Sequence, residues 1–176
     1  MNIRQELNKK NEGFTLIELL IVVAIIAILA VILFVALDPL SRLADSRDSK
    51  RAAQASEVLS ALKVDQVDNG GYYNSAVNGA TAGEVYLIGS CASGATATTV
   101  TDFCDTNPTQ AVCLDLTTGG DDIITQGYIG DIPISPDGLG TWTAATTGYT
   151  IQKETTGILR IRSCESENTS EIVSSR

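Results

Sequence analysis

The stretch Gly13-Phe14-Thr15-Leu16-Ile17-Glu18-Leu19-Leu20 opens an apolar run that continues without a charge or a hydroxyl from Leu19 to Leu37. Counted back to Phe14, the run has 24 residues, broken only by Thr15 and Glu18. As a helix it is about 36 Å long, enough to cross a hydrocarbon core of about 30 Å. A secretory signal core is shorter and ends in a small-residue cleavage site, whereas this run ends in Asp38-Pro39. The segment therefore reads as a retained membrane span. Basic residues do not orient it: Arg4, Lys9 and Lys10 precede it, and Arg42, Arg47, Lys50 and Arg51 follow it.

Glu18 is the exception within the run. A carboxylate at membrane depth costs roughly 2.5 kcal/mol or more unless it finds a partner or an interface. Two readings stay open. Thr15-Leu16-Ile17-Glu18 has the form of a capping box, which would satisfy Glu18 at a positive helix N-terminus. If the chain is cut before Phe14, the new ammonium offers Glu18 an ionic partner in a neighbouring subunit.

Composition narrows the function. Across 176 residues there is no histidine, which removes Ser-His-Asp and Cys-His nucleophiles, His-ligated metals and a histidine pH switch. Twelve basic against twenty-one acidic residues give −9, so no nucleic-acid partner is expected. Cys91, Cys104, Cys113 and Cys164 all follow the apolar run and contain no C-x-x-C pair. Two disulfides in an oxidising compartment are expected, which places the C-terminal side outside the cytoplasm. Of the three connectivities, Cys91–Cys104 with Cys113–Cys164 is preferred because its first bridge closes a short loop.

The octapeptide from Gly13 to Leu20, with the polar leader Met1–Gly13 before it and the apolar run behind it, resembles the class III leader of type IV pilins. Type II secretion pseudopilins share this signature. The resemblance implies cleavage between Gly13 and Phe14 by a membrane prepilin peptidase, N-methylation of Phe14, and a role for Glu18 in methylation and in subunit register. It further implies a self-polymer assembled on a membrane platform by a separate ATPase. The subunit would be anchored in the cytoplasmic membrane before assembly and lie in an extracellular filament afterwards. The expected chain is thus a non-enzymatic prepilin. The alternatives are a pseudopilin or a signal-anchored extracytoplasmic binding protein.

Four segments follow: leader 1–13, membrane and assembly helix 14–37, amphipathic helix 38–70, and a β-rich head 71–176. Pro39 is either a hinge within the stem or the first residue of a second helix. Leu40, Leu43, Ala44, Ala55, Val58, Leu59 and Leu62 share one helical face, with Arg42, Arg47, Asp48, Lys50 and Arg51 expected elsewhere. Asp68-Asn69-Gly70-Gly71 ends the pattern.

In the head, Gly148–Gln152 and Ile158–Arg162 alternate apolar and polar residues around Glu154-Thr155-Thr156-Gly157, which predicts a β-hairpin. A further strand is expected near Gly140–Ala144. The Ser/Thr-rich stretch 90–109 reads as an exposed loop held by cysteines, and 111–116 as a strand or one helical turn. The expected fold is α+β, with a long N-terminal helix packed on a small antiparallel sheet, as in pilin heads. The loop Ile132–Gly138 resembles one that binds calcium in some relatives, making Asp131 and Asp137 calcium candidates; a turn with solvated acids is the simpler reading. Asn168-Thr169-Ser170 has the form of a glycosylation acceptor.

Overall fold

A computed structural model describes residues 13–91, 113–136 and 142–176. The chain divides into two compact units, one ending at Leu40 and the other running from Ser41 to Arg176.

In the first unit, α1 covers Leu16–Leu37, with Thr15 in extended conformation as its N-cap. Apart from Glu18 in its first turn it is wholly apolar, which leaves no polar face, and none of its residues is buried. Asp38 caps its C-terminus in the left-handed region, with φ 36° and ψ 69°. Pro39 then starts α2, which runs to Asp68, so this proline occupies a first-turn position where its missing N–H is tolerated.

In the second unit, α2 buries Ala44, Ala55, Val58, Leu59, Ala61 and Leu62. Gly70 and Gly71 follow it with positive φ, and Gly71 N–H donates to the Gln66 carbonyl at 2.8 Å. The expected apolar face needs two corrections. Leu40 and Leu43 are 75% and 55% exposed, while Asp48 and Arg51, assigned to the outer face, are 4% and 0% exposed. Arg51 goes inward because acidic groups distant in sequence surround it, as described below.

A short helix, α3 (Ser75–Gly79), precedes five strands: β1 (Val85–Ile88), β2 (Cys113–Leu114), β3 (Tyr149–Lys153), β4 (Leu159–Ser163) and β5 (Val173–Ser175). Their spatial order is β2-β1-β3-β4-β5, antiparallel except for β1–β2. The expected hairpin is β3–β4, with Ile151 opposite Ile161 and Thr150 opposite Arg162. Gly157, at φ 86°, closes its turn by donating to the Glu154 carbonyl. Alternation sends Tyr149, Ile151, Leu159 and Ile161 into one core with Val58, Leu59 and Leu62 of α2. The architecture is α+β and pilin-like.

Two local expectations are revised, and a third, left open between strand and turn, is decided. The strand around Trp142 is absent among the described residues: Thr143 and Thr146 form an isolated bridge around a tight turn. There the chain is squeezed against Gly148, where a Cβ would sit 2.7 Å from Ser135 and from the Trp142 ring. The 111–116 stretch contributes β2, parallel to β1 in the register Leu87↔Cys113. That pairing overturns the preferred disulfide connectivity. Cys91, just past β1, bonds Cys113 with Cα atoms 5.7 Å apart, because strand pairing brings them together across 22 positions. Cys164 is also disulfide-bonded; Cys104 and most of the Ser/Thr-rich stretch lie outside the described residues.

Candidate functional site

The residues singled out at the N-terminus gather at the start of α1. Gly13 is exposed, a Cβ added there would meet nothing within 4 Å, and Phe14 is 85% exposed, so both residues flanking the peptide are open to solvent. Thr15 and Glu18 form a complete capping box. The Thr15 N–H and hydroxyl each donate to Glu18 Oε2 at 2.8 Å, and Glu18 N–H donates to Thr15 Oγ1 at 3.2 Å. The capping-box reading of Glu18 is the one this geometry shows: its charge is satisfied locally, with the carboxylate folded back toward the N-cap.

The apolar surface beyond it is what a membrane or a bundle of like helices would cover. Among the described residues, one helix is long and apolar enough to cross a membrane, with a mean hydropathy of 3.6 in its best window. Water is a poor solvent for this surface, since leaving a single Leu, Ile or Phe exposed forfeits roughly 1.5–3 kcal/mol.

The second unit carries a buried ionic cluster that local sequence patterns did not reveal. Arg51 uses its Nη1 to bond Asp48 Oδ1 and Glu167 Oε1, both at 2.8 Å. Its Nη2 bonds Glu165 Oε2 at 3.2 Å and the Pro136 carbonyl at 3.0 Å, and its Nε bonds Ser135 Oγ at 3.2 Å. Every guanidinium N–H therefore has an acceptor. Arg47 holds Glu167 from the other side through Nε, at 2.7 Å, and through Nη2. Asp48 accepts in turn from the backbone N–H groups of Glu167, Asn168 and Thr169, at 2.9–3.1 Å.

The electrostatics follow from these partners. Burial by itself would raise Asp48, but the backbone donors of Asn168, Glu167 and Thr169, with Arg51, outweigh it and hold the carboxyl at about 2. Glu167 is brought down to about 2 chiefly by Arg47, with Arg51 adding to the effect. At the far end of α2, burial pushes Asp65 up against the lowering effect of the Asn74 N–H and the Asn69 amide. Burial also drives Tyr149 to about 12.

This cluster clamps the loop before β5 onto α2. Asn168, the acceptor-motif asparagine, takes part: its Nδ2 donates to the Ser41 carbonyl at 3.0 Å and to Asp45 Oδ1 at 2.8 Å. Of the calcium candidates, Asp131 uses Oδ1 to accept the Ile132 N–H at 2.8 Å, and Asp137 lies outside the described residues. Among the described residues, no three His, Cys, Asp or Glu side chains converge in a way that could hold a metal.

With this geometry in place, comparison with known proteins bears on residues 8–34, which match the model of the prokaryotic N-terminal methylation motif. That motif is the class III signal of type IV pilins and pseudopilins. It implies processing by a prepilin peptidase and fits membrane anchoring through α1. No curated protein and no solved structure matches the chain significantly. The matched motif supports a pilin or pseudopilin-like prepilin, and it covers residues 8–34 of the chain.

Proposed function

We propose that the chain is a structural prepilin, cut after Gly13, N-methylated at Phe14 and polymerised through α1 into a type IV pilus-like filament. The observation that carries this reading is the fully exposed apolar surface of α1 directly behind the methylation motif. Such a helix is stable in lipid while the subunit waits, and stable again when neighbouring copies of α1 replace the lipid. The exchange is close to neutral in hydrophobic terms, so packing and the Glu18 charge decide register, as a lone polar group does in other helical assemblies. The chain would not be an enzyme. Its partners would be its own copies, the prepilin peptidase, an assembly platform and a separate ATPase, with the second unit outside the cytoplasm.

The test is intact-mass and N-terminal peptide mass spectrometry on native envelopes and on sheared filaments. A chain beginning at methylated Phe14 and recovered in the sheared fraction is the expected result. The same processed chain confined to the envelope would favour a pseudopilus. A chain beginning at Met1, in cells that hold the peptidase, would overturn the prepilin reading in favour of an anchored binding protein.

A further inference from the structure

We propose that the outer face of α2 is a contact surface for a second copy of this chain, with the two α2 helices side by side, staggered by one heptad, and Lys50 of one copy paired with Glu57 of the next. The proposal rests on the prepilin reading and adds to it a contact made by the second unit. Leu43, Lys50, Glu57 and Val64 recur every seven residues, and Ser46 and Ala53 each lie three residues beyond the first two of them. Seven helical residues fall only about 20° short of two full turns, so these positions form one stripe. All six are exposed, on the side of α2 that turns away from Ala55, Val58, Leu59 and Leu62 in the core.

The charges on the stripe choose the partner and the stagger. Lys50 and Glu57 carry opposite charges, and neither has a hydrogen bond or ion pair with any described residue. They do not meet within one helix, because seven residues separate them by about 10.5 Å along its axis. Two parallel copies in register would set Lys50 against Lys50 and Glu57 against Glu57, which is repulsive. Sliding one copy by that same heptad brings its Lys50 beside the neighbour's Glu57. Ser46 then faces Ala53, two small side chains that let the helices approach, while Leu43 lies along the Lys50 stem and Val64 along the Glu57 stem. Each copy still offers a Glu57 or a Lys50 to a third, so the contact is heterologous and extends into a row. An antiparallel pair would also join Lys50 to Glu57, but it closes into a dimer, whereas copies inserted in one membrane by the same N-terminal span share one orientation.

The experiment uses the full chain in sheared filaments from cells that hold the processing machinery. Zero-length carbodiimide coupling and peptide mass spectrometry are expected to find Lys50 joined to Glu57 in species of dimer size and larger. Lys50→Glu and Glu57→Lys are each expected to lower the yield of sheared filament about tenfold, and the double charge swap to restore it. Thermal unfolding of the single variants should match wild type, since neither side chain has a described partner in its own chain. Ser46→Cys and Ala53→Cys together are expected to give a ladder of disulfide-linked multimers, and neither alone to give any. Dimers from Ala53→Cys alone would overturn the stagger in favour of an in-register or antiparallel pair. Absence of the Lys50–Glu57 link, full filament yield in either single reversal, or failure of the double swap to restore it would overturn the contact itself. A wild-type chain that begins at Met1 or is missing from the sheared fraction would instead overturn the filament reading on which the proposal rests.

Discussion

Replacing Asp48 by alanine removes the group on which the buried ionic cluster turns. The substitution deprives three consecutive backbone N–H groups and one Arg51 donor of their acceptor, in a place where Asp48 is 4% exposed. Breaking one partner from a buried pair costs about 3–5 kcal/mol. Arg51 keeps Glu165 and Glu167, so the lower end, about 3 kcal/mol, is expected. Unfolding entropy near 2.1 cal/mol/K per residue, applied to the unit from Ser41 to Arg176, turns that into a fall in Tm of about 10 °C. The assay is thermal unfolding of the full chain in detergent, followed by fluorescence of Trp142, the only tryptophan.

The pH dependence of the same protein tests the cause. Asp48 and Glu167 are both lowered to about 2 from ordinary values near 4. Carboxyls with depressed values stabilise the folded state above their unfolded pKa, and that stability is lost as pH falls through the folded value. Wild type should therefore lose stability between about pH 4 and pH 2, and Asp48→Ala should lose less across that window because one of the two groups is gone. A variant that melts within 1 °C of wild type, or that keeps the full acid-dependent loss, would refute the claim that this carboxylate clamps the loop onto α2.

Three further outcomes are expected. Non-reducing peptide mapping should recover Cys91 linked to Cys113, and Cys113→Ser should cost about 3 kcal/mol through the loop it reopens; a peptide joining Cys91 to Cys104 would refute the strand-pairing argument. Gly89→Ala should destabilise by roughly 1–3 kcal/mol, since the added Cβ would lie 2.1 Å from the Ala145 carbonyl oxygen on the backbone; a variant with wild-type Tm would show that this approach is not tight. Asp38→Gly should stabilise the helical region by about 1 kcal/mol, because only glycine takes the left-handed conformation without penalty, and helix loss on heating by far-UV circular dichroism would measure it; lowered stability would refute the cap geometry.

What could be read from the chain depended on how far apart the interacting residues lie. The capping box and the apolar run are contiguous, and the β3–β4 hairpin spans fifteen residues from Tyr149 to Ser163, so local pattern and chemistry were enough. The Arg51 cluster joins residue 51 to residues 135, 136, 165 and 167. Nothing in helical periodicity separates an arginine that faces water from one whose acceptors arrive from the other end of the chain, so periodicity alone places Arg51 outward. The cysteine pairing failed for the same reason: nearness in sequence favoured Cys104, whereas the parallel β1–β2 pairing chose Cys113. β5, at three residues, is too short to carry an alternation.

The helix that defines the proposed function is also the one whose sequence says least about its own neighbours. A stripe of apolar residues on one face tells a helix where to pack, but α1 is apolar all round and distinguishes no face. Sliding or rotating it against identical helices changes its hydrophobic contacts little, since one Leu or Ile replaces another. Only Thr15 and Glu18 break that degeneracy, and both sit within one turn of Phe14. In the proposed filament, register among copies, as far as α1 sets it, would then be chosen at this end, by where the Glu18 carboxylate finds its cation. On the proposed reading, the local box that satisfies Glu18 in the uncut chain would also keep it from choosing a partner before Phe14 had an ammonium to offer.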